Sequence, residues 1–494
     1  FVMKTILIIS ILSICFSLFS REIPDTLWTH MYGSSGTEEL FDMKETSDNG
    51  FILAGYTDFW GSGSDDMYLI KCDYQGVTEW TGYYGSEGID TAYSVIETVD
   101  GGFLVLGRTD NGGTSFFDLC LVKINSNGVE QWSQTYGGAE PEIGYSIVND
   151  VNGGYVITGV TNSFGEGNGD VWLLKVDEAG NVVWSNTFGG SNLDIGFEVK
   201  QVSDNGFVIT GITSSTAGYS ENLYLVKTDE NGDLEWEKDL GGYYFDDGQD
   251  VIEGSDGGYL VAGSYKNSLT EPADVWLIKV DETGEVEWDN TYGGLYRDVA
   301  YSVIENSEND YLISGGTFVE QGQLNSEIFL LKTTSQGEEI WLETYGTPEN
   351  EFSRVLDKTE AGNIIIGATH SSLDYSDSDI WLLFLTNDVT FVNETTETKE
   401  TFLTSYPNPF NPLMTKTTRL KISYELPRRI QAGKLQIFDI RGKLVREISL
   451  KKKEGLIEWN GKNNEGKWLS TGLYFYRIRH GSFISETEKL LLLK

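Results

Sequence analysis

The chain has 494 residues, with 76 acidic and 35 basic side chains and a formal net charge of −41 at pH 7. A protein this acidic repels phosphate backbones, so the composition excludes nucleic acid as a partner. Of the 3 cysteines, Cys72 and Cys120 lie in non-equivalent positions of strand-like segments, and we expect them to be buried free thiols rather than a disulfide.

The first predicted element is a signal peptide at residues 1–20. Lys4 precedes an apolar run that ends at Ser20, directly before Arg21. One positive charge, an apolar stretch and a small final residue are typical of a secretory signal. The run is too short to predict a membrane span, so we expect an exported protein with no transmembrane segment after signal removal.

Tryptophan recurs through the next part of the chain at intervals of 52 residues, or 53 in the last case: Trp28, Trp80, Trp132, Trp184, Trp236, Trp288 and Trp341. Each unit contains apolar runs of four to six residues bounded by Gly, Asn and Asp, which is typical of strands. Turns such as Asp100-Gly101-Gly102 and Asp229-Glu-Asn-Gly232 predict two hairpins per unit. Four strands in a unit of this length are typical of a propeller blade.

The two ends of the repeat region complement each other. The Trp28 segment has no preceding hairpin partner, and the seventh unit ends at residues 379–385 without a following Trp strand. We therefore predict an all-β fold in which the Trp28 strand pairs with residues 380–385 and closes a seven-bladed β-propeller over residues 22–388. A stacked linear β-solenoid is the alternative.

A composition change follows the repeats. Residues 389–404 are polar and rich in Thr and Glu, which predicts a linker. Residues 405–494 contain short strand-like segments at regular spacing, which predicts a small β-sandwich. This last part holds 18 basic and 8 acidic residues, whereas the rest of the chain holds 17 basic and 68 acidic residues.

Residues 405–494 also carry four motifs, which are Tyr406–Pro412, the Asp439-Ile-Arg-Gly442 turn, Trp459–Gly461 and Gly472–Tyr476. With these motifs the segment resembles the type A C-terminal sorting domain of proteins exported by the type IX secretion system. That domain is similar in turn to the immunoglobulin-like domain of flagellar hook-cap proteins. The resemblance implies an immunoglobulin-like sandwich, recognition by the outer-membrane secretion machinery of a Gram-negative bacterium, and an extracellular or outer-membrane surface location. An accessory sandwich without a sorting role is the alternative.

Two sets of charged residues repeat with the tryptophans. An acidic residue lies ten positions after each Trp: Glu38, Asp90, Glu142, Asp194, Asp246, Asp298 and Glu351. We expect these carboxylates to accept backbone N–H bonds and order a loop; a circle of carboxylates facing a cation is the alternative. A repeated lysine is predicted to join a charge network, with Phe384 in its place in the last unit: Lys71, Lys123, Lys175, Lys227, Lys279 and Lys332.

Ligand binding is expected where the units differ most, in the loops after the second strand of each unit. All of these loops share one propeller face and carry the candidate ligand contacts Trp60, Phe117, Phe164, Tyr219 and Tyr375. Such rings, beside Ser, Asn and Gly, suit a sugar or a peptide, although they could instead pack down as loop plugs. Asp374, Asp377 and Asp379 alternate as Ca²⁺ ligands can, and Ca²⁺ is the one cofactor that the sequence suggests.

No residue is assigned a catalytic role. The chain has 3 histidines and no nucleophile motif or HExxH sequence. The sequence therefore favours a non-enzymatic, secreted or cell-surface propeller that binds a glycan or a protein through its variable loops. The alternatives are an extracellular carbohydrate-active enzyme that uses two loop carboxylates and a structural surface component.

Overall fold

The computed structural model describes residues 24, 26–61, 64–110, 116–215, 220–318, 326–347, 349–373, 377–386, 403–406, 420–425, 433–439, 443–452, 454–480, 483–484 and 488–492. The predicted signal peptide, residues 389–402 of the linker, Tyr219, Asp374 and Tyr375 lie outside these residues. Within the described part of the chain, no helix has the length and apolar character needed to cross a membrane. Contacts divide the chain into two compact units between Thr390 and Phe391.

The first unit consists of seven four-stranded antiparallel sheets, numbered here as blades 1 to 7 in chain order. The first strands of the blades are β2 (Glu38–Glu45), β6 (Asp90–Glu97), β10 (Glu142–Asn149), β14 (Asp194–Gln201), β18 (Asp247–Glu253), β22 (Asp298–Glu305) and β26 (Asn350–Lys358). The second strands are β3 (Phe51–Thr57), β7 (Phe103–Thr109), β11 (Tyr155–Thr161), β15 (Phe207–Thr213), β19 (Tyr259–Tyr265), β23 (Tyr311–Phe318) and β27 (Ile364–Ser371).

The third and fourth strands complete each blade towards the rim. The third strands are β4 (Asp66–Cys72), β8 (Asp118–Ile124), β12 (Asp170–Val176), β16 (Asn222–Thr228), β20 (Asp274–Val280), β24 (Ser326–Thr333) and β28 (Ser378–Leu385). The fourth strands are β1 (Thr26–Tyr32), β5 (Thr78–Tyr84), β9 (Glu130–Tyr136), β13 (Val182–Phe188), β17 (Leu234–Leu240), β21 (Val286–Tyr292) and β25 (Glu339–Tyr345).

The blades form a closed ring. Each first strand contacts the first strands of both neighbouring blades, and β2 contacts β26 as well as β6. The first strands therefore surround a central axis. The predicted seven-bladed β-propeller is confirmed, and the linear solenoid is wrong because its end units would not touch.

The N-terminal strand completes blade 7. β1 pairs antiparallel with β28, and Trp28 lies opposite Phe384. The two rings stack with centroids 4.9 Å apart and an interplanar angle of 11°. In blade 1 the equivalent cross-strand pair is Lys71 opposite Trp80, so the closing blade replaces a buried cation with an apolar stack. The predicted ring closure is confirmed.

The middle strands and the rim strands of a blade differ in their burial. Every residue of β4 is buried, because the middle strands lie between two neighbouring blades, and such strands are apolar on both faces. In β5 exposed and partly buried residues alternate from Glu79 to Tyr83, because only one face of a rim strand packs on protein.

The repeated tryptophans join neighbouring blades. Trp80 Nε1 donates to the Ser126 carbonyl oxygen in the next blade at 3.1 Å. Gly128, in the same hairpin, has a φ of +76°, and a Cβ there would lie 2.9 Å from the Trp80 ring. The 52-residue period is thus the spacing of one blade-to-blade contact, which needs glycine opposite the indole.

The repeated lysines are buried and paired, as a charge network requires. Lys227 Nζ lies 2.8 Å from both Asp204 Oδ2 and Glu235 Oε2, and its side chain is only 2% exposed. The equivalent pairs are Lys71 with Asp48 and Glu79, Lys123 with Asp100, Lys175 with Asp150, Lys279 with Asp256 and Glu287, and Lys332 with Glu308 and Asp310.

Cys72 and Cys120 are buried free thiols, as predicted. Burial raises the pKa of Cys72 to about 11 and that of Cys120 to about 12. Both thiols therefore remain protonated at neutral pH and act as small apolar side chains.

The second unit contains two sheets, with strand order β29-β30-β33 in one and β32-β31-β34-β35 in the other, where β36 also pairs with β34. Its strands are β29 (Leu403–Tyr406), β30 (Leu420–Glu425), β31 (Gly433–Asp439), β32 (Leu444–Leu450), β33 (Glu454–Trp459), β34 (Gly472–His480), β35 (Phe483–Ile484) and β36 (Glu488–Leu492). Ile422, Trp459 and Tyr476 belong to its buried core. The fold is the predicted small immunoglobulin-like sandwich.

The closing stack gives a stability prediction. We expect Trp28→Ala to lower the free energy of unfolding by about 3 kcal/mol, because it leaves a cavity against Phe384 and weakens the closing strand. Leu27→Ala, on the same strand but 52% exposed, should change it by less than about 0.5 kcal/mol. Chemical denaturation of the two variants measures this, and equal losses would contradict a closing role for the stack.

Candidate functional site

One propeller face carries all the variable loops. The loops between second and third strands contact the loops that join successive blades, for example through Asp58 N–H to the Thr37 carbonyl and Ser64 N–H to the Gly88 carbonyl, both at 3.1 Å. We call this side the loop face. The tight hairpins that join first to second and third to fourth strands lie at the opposite ends of the strands. The loop face is therefore the variable surface of the propeller.

Three aromatic rings lie side by side at blade 1. The centroids of Phe59 and Trp60 are 4.9 Å apart, and those of Trp60 and Tyr83 are 6.3 Å apart. Phe59 and Trp60 are each 49% exposed, and Tyr83 is 37% exposed. Tyr83 in turn stacks on the buried Tyr68 at 5.2 Å, which fixes its ring. Phe59, Trp60 and Tyr83 are called the aromatic patch below.

The other predicted loop aromatics have different surroundings. Phe117 is half-buried, and the Arg108 guanidinium lies 4.2 Å from its ring centroid. Phe164 is exposed and lies 5.8 Å from the Trp172 ring. Trp60 thus has an exposed aromatic partner on the surface, whereas Phe117 packs down beneath an arginine.

Further exposed apolar side chains were missed by the sequence analysis. Tyr243, Phe245 and Leu295 are exposed in the loops that join blades 4 to 5 and 5 to 6, and Leu269 is exposed in the variable loop of blade 5. Most of the joining loops begin with Gly-Gly or Gly-Ser and therefore look alike in the sequence. The run Tyr243-Tyr-Phe245, which breaks that pattern, is the signal that could have revealed them.

A ring of side chains lines the propeller axis, and it too escaped the sequence analysis. Each first strand shifts register thirteen residues after the repeat Trp, which places a bulged residue there. The bulged residues are Phe41, Tyr93, Tyr145, Phe197, Gln249, Tyr301 and Arg354. They line an axial cavity of about 450 Å³. Arg354 lies 4.9 Å from the Tyr301 ring and 5.4 Å from the Phe41 ring.

Charged side chains fill the axis a few residues further along. Lys44 Nζ lies 2.9 Å from Asp42 Oδ1. Lys200 Nζ lies 2.6 Å from Glu198 Oε1 and 3.7 Å from Asp250 Oδ1. Burial lowers the pKa of Lys200, but these carboxylates outweigh it and hold the pKa above its usual value. The axial charges are therefore paired with one another.

The repeat acids order the loops that join blades. Glu38 accepts the Ser34 N–H at 3.1 Å, the Ser34 hydroxyl at 2.7 Å and the Thr57 hydroxyl at 3.0 Å. Glu142 accepts the Gly138 N–H and the Thr161 hydroxyl in the same way. The equivalent backbone contacts are made by Asp90, Asp194, Asp246 and Asp298, and Glu351 accepts the Thr347 hydroxyl.

The predicted aspartate metal site is only partly covered by the described residues. Asp377 and Asp379 flank the start of β28, and Asp374 lies outside the described part. Among the described residues, no group of three or more His, Cys, Asp or Glu side chains is spaced to hold a metal ion. Burial and the carboxylates of Asp377 and Glu38 raise the pKa of Asp379.

One family model matches part of the second unit. Residues 410–481 match the family model of the FlgD Ig-like domain, in line with the hook-cap likeness of the C-terminal segment. No curated protein matches the chain.

Solved structures resemble the chain at low identity. PorZ, described as an essential bacterial surface component of the type-IX secretion system of Porphyromonas gingivalis, is 13% identical over 92% of this chain and 59% of its own, with a TM-score of 0.44. Sqt1 from Chaetomium thermophilum is 10% identical over 71% of this chain and 85% of its own, with a TM-score of 0.41. The chain spans less than two thirds of PorZ, and likenesses of this size say nothing of ligand or activity.

The surroundings of the loop aromatics predict different costs of truncation. We expect Trp60→Ala to change the free energy of unfolding by less than about 0.5 kcal/mol, because the ring is largely on the surface. Phe117→Ala should cost about 1–2 kcal/mol, because it removes a half-buried ring and its arginine contact. Thermal unfolding of both variants measures the difference. The reverse order would show that Trp60, and not Phe117, is the loop plug.

Proposed function

We propose that the protein is a secreted or cell-surface β-propeller that binds a glycan at the aromatic patch, without catalysis. The observation that carries the proposal is the set of three adjacent, exposed rings of Phe59, Trp60 and Tyr83. Clustered exposed apolar groups mark interaction surfaces. Flat rings with polar edges suit ligands that present both an apolar face and hydroxyl groups, as sugars do.

The charge of the chain narrows the glycan class. Outside residues 405–494 the chain holds 68 acidic and 17 basic residues. Such a surface repels polyanions and lowers their local concentration. The patch is therefore expected to select neutral sugars over uronic acids or sulfated chains.

Export forms the second part of the proposal. The FlgD Ig-like match at residues 410–481 and the motifs that resemble a type A sorting domain support a role for the second unit in secretion. In this account the second unit binds the outer-membrane secretion machinery, and the propeller reaches the cell surface or the medium.

A protein ligand is the second candidate. Tyr243 is 91% exposed and Leu295 is 84% exposed, in loops that flank blade 5 on the loop face. Large apolar side chains this exposed favour contact with another protein. This surface lies on other blades than the aromatic patch, so substitutions separate the two candidates.

A glycan array probed with the full chain tests the proposal. We expect binding to neutral glycans, and we expect Trp60→Ala to weaken it about 5- to 30-fold, because stacking on one ring contributes roughly 1–2 kcal/mol. Leu269→Ala is the matched control, because it removes an exposed apolar side chain from the equivalent loop of blade 5 and should bind normally. Absence of binding to neutral glycans, or binding that Trp60→Ala leaves unchanged, would contradict the glycan proposal and favour the protein ligand.

A further inference from the structure

Carboxylates from neighbouring blades meet at the loop face. The repeat acid of one blade lies beside an acid at the start of the third strand of the preceding blade, and we call each such junction a seam. The carboxylate pairs around one glycine are Asp118 with Glu142, Asp274 with Asp298, Glu327 with Glu351, and Asp379 with Glu38. Asn222 replaces the acid in the seam of Asp246.

A glycine lines each seam, five residues after the repeat Trp. A Cβ at Gly293 would lie 2.3 Å from Asp274 Oδ1 and 2.8 Å from Asp298 Oδ2. A Cβ at Gly137 would lie 2.2 Å from Glu142 Oε2, with Asp118 Oδ1 at 3.0 Å. Oxygens of both carboxylates therefore face one small gap, and the glycine keeps that gap free of a side chain.

Two of these oxygens lack a partner although they are buried. Asp274 Oδ1 and Glu351 Oε2 have no hydrogen-bond partner among the described residues. Glu351 is 0% exposed, and its Oε2 lies 3.1 Å from the position of a Cβ at Gly346. A buried, ionised oxygen without a partner is costly, so these two gaps call for a positive charge or a proton.

We propose that these seams bind Ca²⁺, with one ion for each carboxylate pair. Ca²⁺ takes six to eight oxygen ligands in flexible geometry, and backbone carbonyls and water can complete a set that two carboxylates begin. Two carboxylates make a weak site, comparable with those of extracellular modules, for which Kd is about 10⁻⁴–10⁻³ M. Ca²⁺ binding at the seams does not depend on glycan binding at the aromatic patch.

The alternative to a bound cation is a proton shared by the two carboxylates of a pair. The net charge favours the cation. The part of the chain outside residues 405–494 carries a large excess of acidic residues, and bound cations reduce the repulsion among them. The seam of Asn222 provides an internal reference, because an amide there already removes one of the two charges.

Thermal unfolding and calorimetric titration of the full chain, first treated with a chelator, test the inference. With CaCl₂ at 10 mM we expect the Tm to rise by about 5 °C or more relative to NaCl of equal ionic strength, because the ions bind only the folded seams. MgCl₂ should raise it less, because Mg²⁺ demands a regular octahedral site. No difference between CaCl₂ and NaCl would overturn the proposal.

Asp274→Asn localises the ions, because it copies the natural Asn222 seam and is expected to fold. We expect it to bind one Ca²⁺ equivalent fewer than the original chain, with an unchanged circular dichroism spectrum. Asp118→Asn is a second variant at another seam with the same expected loss. Glu282→Gln, which removes one charge from an exposed hairpin residue of the same blade, is the control and should keep every equivalent. An equal loss of bound Ca²⁺ in Asp274→Asn and Glu282→Gln would show that the ions only screen the surface charge. A Tm of Asp274→Asn that is raised and does not respond to Ca²⁺ would show that the two carboxylates share a proton. Either result overturns the proposal.

Discussion

Ring closure is the constraint on which the rest of the structure depends. A four-stranded blade cannot bury its two faces alone, so each blade needs a neighbour on both sides. The seventh blade has only three strands of its own, and β1 supplies the fourth by pairing with β28. In the equivalent position of blade 1 a lysine faces the tryptophan, whereas Phe384 stacks on Trp28. The closing pair therefore joins the first and last strands of the propeller by apolar contact, because no loop connects β1 to β28.

Because the ring is closed, the loop face consists of fixed loops that join blades and of variable loops beside them. The repeat acids fix the loops that join blades, as Glu38 does through Ser34 and Thr57. The variable loops project beside these fixed segments, and that scaffold positions Trp60 next to Tyr83. At blade 5 the same arrangement presents Tyr243 instead. A regular frame with variable loops on one side is the usual way for a rigid fold to carry a binding surface.

Much of the fold follows from the sequence because the blade contact repeats in it. The spacing of Trp28 and the later tryptophans predicts the blade count, and the complementary ends predict the closure. The ring of side chains along the axis cannot be predicted from the sequence, because the bulge in each first strand inserts one residue and so interrupts the two-residue alternation. Leu40-Phe41 reads as a short apolar run that fits a bulge or a fully buried strand equally well. The binding surface is harder to predict from the sequence, because it depends on which loop aromatics are buried. Phe117 and Trp60 look alike in sequence, and the contact of Phe117 with Arg108 distinguishes them only in the structure.

Hydrogen–deuterium exchange of the full chain tests the closed ring most directly. The amides of Trp28–Tyr32 should be protected as strongly as those of Trp80–Tyr84, because both segments are rim strands paired on one side. Their partner residues Ile380–Leu385 should show the protection of a middle strand. Rapid exchange at Trp28–Tyr32, together with edge-like exchange at Ile380–Leu385, would mean that the ring is open and would contradict the account.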